Sequence, residues 1–125
     1  MDYNDVDVPV YLYRGPLYMR QSFDKLSERI KSELKRSPIS GGLYVFFSRS
    51  RSRVKILYWD KDGYCLWYKR LEAGSFKVES SNEYEEVEYV DLMAVLSGIE
   101  FSRIKLQKSS RKDLYAWWRL DIQNE

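Results

Sequence analysis

No histidine occurs anywhere in the 125 residues. Imidazole is the side chain that most often serves as a general base near neutral pH, as a metal ligand and as the partner of a serine or cysteine nucleophile. Its absence removes Ser–His and Cys–His catalysis and histidine metal sites together. Cysteine is nearly absent too. Cys65 alone closes no internal disulfide and builds no zinc finger, and its place in an apolar strand candidate reads as a small buried hydrophobe. No run approaches the ~18 apolar residues that cross a bilayer, and no short apolar segment behind a basic start marks a signal peptide. A soluble, cytoplasmic protein is expected. GxGxxG and Walker-type loops are missing, and Gly41-Gly42 lacks the lysine and helix start that would cradle phosphate. Asp60-Lys61-Asp62-Gly63 is shorter than the about twelve residues of a calcium loop and reads as a hairpin turn. The expectation is a protein that is not an enzyme, with no cofactor, no metal, no small-molecule substrate and no membrane association.

What is abundant is aromatic side chains and segregated charge. Eleven tyrosines and four tryptophans combine apolar faces with polar handles, which suits interfaces as well as cores. The net charge of +2 hides a basic stretch over 41–79 followed by an acidic block over 80–100. Length and hydrophobic content fit one domain over residues 1–106, followed by a polar linker and C-terminal tail over 107–125.

The N-terminus is acidic and without period, and VPVYLYRG reads as a short extended piece before Gly15-Pro16. From Ser22, a candidate cap, Phe23, Leu26, Ile30 and Leu34 recur at helical spacing. They predict an amphipathic helix over 22–36 that packs across a sheet and stops at Ser37-Pro38. Strand candidates follow at 43–47, 53–59 and 64–71, joined by hairpin-length connections, with Phe76-Lys77-Val78 as a fourth. The block SSNEYEEVEY is too charged for core, whereas Leu92, Val95, Leu96 and Ile99 after a capping Asp91 predict a short helix. DLYAWWRL in the tail is a last helical turn or a docking peptide. The expected fold is α+β, a small antiparallel sheet of three to four strands with one packed amphipathic helix and a short C-terminal helix.

Functional potential concentrates in SRSRSRVKILYWDKDGYCLWYKR, from Ser48 to Arg70. Arg49, Arg51, Arg53 and Lys55 project from one face wherever the backbone is extended, at ~6.6 Å, close to the phosphate spacing of one nucleic-acid strand. Lys69, Arg70 and Lys77 extend the basic set. Tyr58, Trp59, Trp67 and Tyr68 either stack on exposed bases or fill a core as cross-strand pairs, and both readings stand at this point. Likewise the basic loop is either a set of phosphate contacts or a solvated turn.

The run SPISGGLYVFFSRSRSRVKILYWDKDGYCLWYKRLEAGSF, over 37–76, resembles the TnpB accessory protein of IS66-type bacterial insertion sequences. The matching positions are Pro38, Ser40, Gly41 and Leu43 to Phe46, then Lys55, Leu57 to Asp60 and Asp62 to Tyr64. Leu66, Trp67, Lys69 to Glu72, Gly74 and Phe76 complete the order. MRQSFDKL at 19–26 and the 91–101 segment are similar to the family's flanking parts, while Tyr18 stands where the family usually has aspartate. The resemblance implies a role in DNA transposition beside a separate transposase that carries the catalytic carboxylates, and no catalytic residues in this chain. Two functions fit: an accessory that binds element-end DNA through the basic loop and hairpin, or an adaptor that docks the transposase or another accessory protein through its aromatic face and acidic block.

Overall fold

The computed structural model describes residues 8–79, 81 and 83–98. Strand β1 (Val10–Pro16) leads into helix α1 (Phe23–Leu34), a 3-10 turn at Pro38–Ser40, and strands β2 (Leu43–Phe47), β3 (Arg53–Asp60) and β4 (Gly63–Arg70). Strand β5 (Tyr84–Val87) and helix α2 (Tyr89–Leu96) complete the order. The expectations for Ile99 and for the tail lie outside the described residues.

The fold is α+β, as the periodicities predict, but the sheet has five strands in the order β4-β3-β2-β1-β5 and is mixed. β2, β3 and β4 form the expected antiparallel meander, with Arg53 opposite Arg70 and Asp60 opposite Gly63. The difference lies in the flanking segments. β1 is an inner strand, parallel to β2 with Val10 opposite Leu43, and α1 is the crossover between them. Its VYLY run is apolar on both parities because it is covered on both faces: Val10 and Leu12 belong to one core cluster, Tyr13 to the other. The acidic block supplies β5, antiparallel to β1 at the sheet's edge, where charges remain in water. Across this pair, Arg14 Nε of β1 donates to Glu85 Oε2 of β5 at 2.7 Å. Residues 76–78 form no strand. Phe76 instead donates its amide to the Arg51 carbonyl and sets its ring 5.7 Å from that of Phe47.

α1 packs on one face through Leu26 and Ile30, both fully buried against Tyr44, Phe46 and Leu57. Phe23, expected in that stripe, is 42% exposed, and Leu34 is half-buried. Helical Cβ atoms tilt toward the N-terminus, so a ring on the first turn projects past the surface that the middle of the helix covers. Ser22 is the N-cap residue but makes no side-chain cap bond. α2 covers the opposite face, and Leu92 to Leu96 join Val45, Phe47, Ile56 and Trp67 in the second cluster. It starts three residues earlier than its apolar spacing suggests, because Glu88 rather than Asp91 is the N-cap. Asp91 closes a capping box by accepting the Glu88 amide at 3.0 Å.

Candidate nucleic-acid interface

The β2–β3 connection is held by its serines. The Ser48 amide donates to the Arg53 carbonyl at 3.0 Å and the Arg53 amide to Ser48 Oγ at 3.1 Å. Ser50 Oγ lies 3.2 Å from Ser48 Oγ and 2.8 Å from Ser52 Oγ. With the turn so closed, the alternating arginines divide. Arg51 adopts a left-handed φ of 63° and turns inward, where its Nη2 donates to the Arg14 carbonyl and its guanidinium lies 5.9 Å from the Phe47 ring centre. Burial, then the neighbouring Arg14 charge, lowers its pKa. Arg49 and Arg53 turn outward, exposed and without a side-chain partner among the described residues.

Lys55, expected beside them, is buried. Its Nζ donates to the carbonyls of Met19 and Gln21, the latter at 2.8 Å, and lies 5.1 Å from the Tyr68 ring centre. Burial lowers its pKa. The ammonium thus pins the turn closed by the Gln21 amide on the Tyr18 carbonyl, at 3.1 Å, against β3. Pleating puts Arg53, Arg70 and Tyr68 on this same side of the hairpin, since Arg53 faces Arg70 and Lys55 faces Tyr68. Arg70 donates to Glu72 at 3.0 Å, in a pair whose side chains are 58% and 82% exposed. Tyr18, 75% exposed, shares a shallow cavity of about 70 Å³ with Pro16, Leu17 and Arg49. One end of the sheet therefore carries Arg49, Arg53, Arg70, Tyr18 and Tyr68.

The seven expected cations are not one surface. Lys69 alternates with Arg70 and points to the α2 side, where it and Lys77 line a cavity of about 560 Å³ with Phe76 and Leu96. Of the four aromatic candidates, Tyr58 and Trp67 are core, 9% and 3% exposed, which removes their faces from any base. Trp59 is half-buried edge-on to Tyr64 at 5.0 Å, and Tyr68 alone is exposed, at 39%. Tyr18 and exposed Arg20 were not legible as site residues, because the contacts that bring their turn to the hairpin run from Lys55 across 34 and 36 positions of sequence. The acidic strand β5 is the edge strand across the sheet from β4, with Glu83, Glu86 and Glu88 exposed.

Among the described residues no three of histidine, cysteine, aspartate and glutamate come together as metal ligands, and no helix is long and apolar enough to cross a membrane. No solved structure matches the chain. A protein of Sinorhizobium fredii called uncharacterized protein y4hO is 35% identical over 96 residues, which span 76% of this chain and 84% of that one. A second from the same organism, uncharacterized protein y4jC, is 27% identical over 99 residues, 77% of this chain and 83% of that one. The family described as IS66 Orf2 like protein matches residues 8–106, which take in every strand and helix among the described residues and the whole arginine-bearing face. The chain belongs to that family, the transposition-associated accessory proteins of IS66-type insertion sequences.

Proposed function

We propose that this protein is a non-catalytic accessory of transposition that binds DNA at the ends of its element through the face carrying Arg49, Arg53 and Arg70. The observation that carries this reading is the pair of exposed guanidiniums, Arg49 and Arg53, without side-chain partners among the described residues, beside a third whose carboxylate partner is itself mostly in water. Exposed ion pairs are worth ~0–1 kcal/mol, so a phosphate displaces Glu72 from Arg70 at little cost. Guanidiniums engage phosphate oxygens two at a time and release condensed counterions as they do so. The protein would act in the cytoplasm, with residues 1–106 as the binding domain. Lys69 and Lys77, on the other side of β4, and the inward Arg51 and Lys55 take no part in that contact.

A second reading has its own support. β5 is an edge strand with exposed glutamates, on the other side of the sheet from β3 and β4, which carry Arg53 and Arg70. An edge of unpaired backbone groups bearing carboxylates suits a basic segment of the transposase or of another accessory protein. A gel shift on element-end DNA run beside a pull-down with the transposase separates the two. Retardation that is lost with Arg49, Arg53 and Arg70 supports the first, and transposase capture without any DNA binding replaces it with the adaptor.

A further inference from the structure

We infer that the arginine face takes unpaired rather than duplex DNA, with Tyr18 and Tyr68 as platforms on which bases stack. The inference rests on the DNA-binding reading above and specifies its substrate. Tyrosines in this fold are otherwise put to internal use: Tyr13, Tyr44, Tyr58 and Tyr89 are buried, and Tyr11 stacks on Tyr44 with ring centres 5.4 Å apart. Tyr18 and Tyr68 are the exceptions among the described residues, and both stand with the outward arginines. In duplex DNA the base faces are already covered by neighbouring bases, so a protein ring adds nothing to duplex phosphate contacts. In an unpaired strand each base has a free π-face, and an aromatic side chain beside a basic track is the arrangement that holds it.

The backbone that carries Tyr18 and the ring of Tyr68 are also held in place, which a solvated turn does not require. The Leu17 amide donates to the Phe47 carbonyl at 3.0 Å, immediately before Tyr18, and Lys55 grips the turn immediately after it through Met19 and Gln21. The same ammonium sits against the Tyr68 ring. One buried cation thus fixes the backbone at Tyr18 and the ring of Tyr68 relative to β3 before any ligand arrives, which lowers the ordering cost of binding. An acidic protein segment would satisfy the arginines but offers no regular series of aromatic faces to two presented rings, as consecutive bases do. Unpaired DNA satisfies both features.

The test is fluorescence anisotropy with three labelled probes of one sequence: a single strand, its duplex, and a duplex with an internal unpaired bubble. Wild type is expected to bind the single strand and the bubble more tightly than the duplex. Tyr18→Leu and Tyr68→Leu, which keep an apolar side chain but lose the π-face, should each weaken single-strand binding about tenfold and leave duplex binding unchanged. Tyr18→Phe and Tyr68→Phe should bind like wild type. Thermal melts check folding, and Tyr18→Leu decides the matter if Tyr68→Leu melts early. Equal or tighter duplex binding, with the leucine variants unchanged on every probe, overturns this inference while the DNA-binding reading stands. Loss of single-strand binding in the phenylalanine variants also overturns stacking. A wild type that binds none of the three probes overturns both.

Discussion

Replacing Lys55 with methionine separates a cation that holds the fold from the outward cations proposed to bind DNA. The ammonium donates to the Met19 and Gln21 carbonyls and lies against Tyr68. Hydrogen bonds to a charged group contribute ~1.5–3 kcal/mol each, so two lost bonds amount to roughly 3–6 kcal/mol before offsets. Two effects reduce this. The variant no longer desolvates a charge, and Met19 and Gln21 are only half-buried, so water reaches the abandoned carbonyls. A net loss of about 1–3 kcal/mol remains, which for a domain of this size lowers Tm by roughly 4–12 °C. Arg53→Met, one pleat away on the same face, exposed and without a side-chain partner among the described residues, should change stability by less than ~0.5 kcal/mol. Urea titration of the two variants, with the slope checked for constancy, measures the contrast. Equal midpoints would refute the assignment of Lys55 as a structural pin and return it to the solvent-facing set.

On α1, Leu26→Ala should cost ~2–5 kcal/mol as a fully buried leucine and Phe23→Ala under ~1 kcal/mol, measured by thermal melting; the reverse order would move the helix's buried stripe. Trp67→Ala should cost ~3–5 kcal/mol and leave no folded protein to assay for binding at elevated temperature, whereas a stable Trp67→Ala would place the indole on the surface. Burial, followed by its 2.7 Å hydrogen bond to Glu33, raises the Tyr84 pKa above the ordinary 10.0. Above pH 10 the unfolded chain therefore loses this proton while the folded chain keeps it, and stability falls as pH rises through that window. Tyr84→Phe should lose less between pH 9 and 11 than wild type in urea midpoints, and an identical decline would contradict the assignment.

How far the chain explains itself depends on the range of each contact. The β3–β4 hairpin was legible because Asp60-Lys61-Asp62-Gly63 and strict alternation are local signals, and α1 because its period is local. β1 and β5 were obscured for a different reason. Val10 pairs with Leu43 on one side and Val87 on the other, partnerships that no short window contains, and the glutamates of β5 hide a strand whose inward Val87 is buried. The site divides in the same way. Arg49, Arg53 and Arg70 follow from turn and parity, but Arg51 and Lys55 find carbonyl partners 34 to 37 positions away, so two cations that look identical to their neighbours in the sequence belong to the fold. Tyr18 joins the face through the long-range bonds of Lys55 and carries no local mark of its place there.

The most direct measurement is the salt dependence of binding to element-end DNA by wild type and by the combined Arg49→Ala, Arg53→Ala and Arg70→Ala variant. Each phosphate contact adds about 0.7 to the slope of log K against log salt for a single strand and about 0.9 for a duplex. Removal of three contacts should flatten the slope by roughly two to three while leaving the thermal melt nearly unchanged. A variant with wild-type affinity and wild-type slope would contradict the claim that these three arginines carry the DNA.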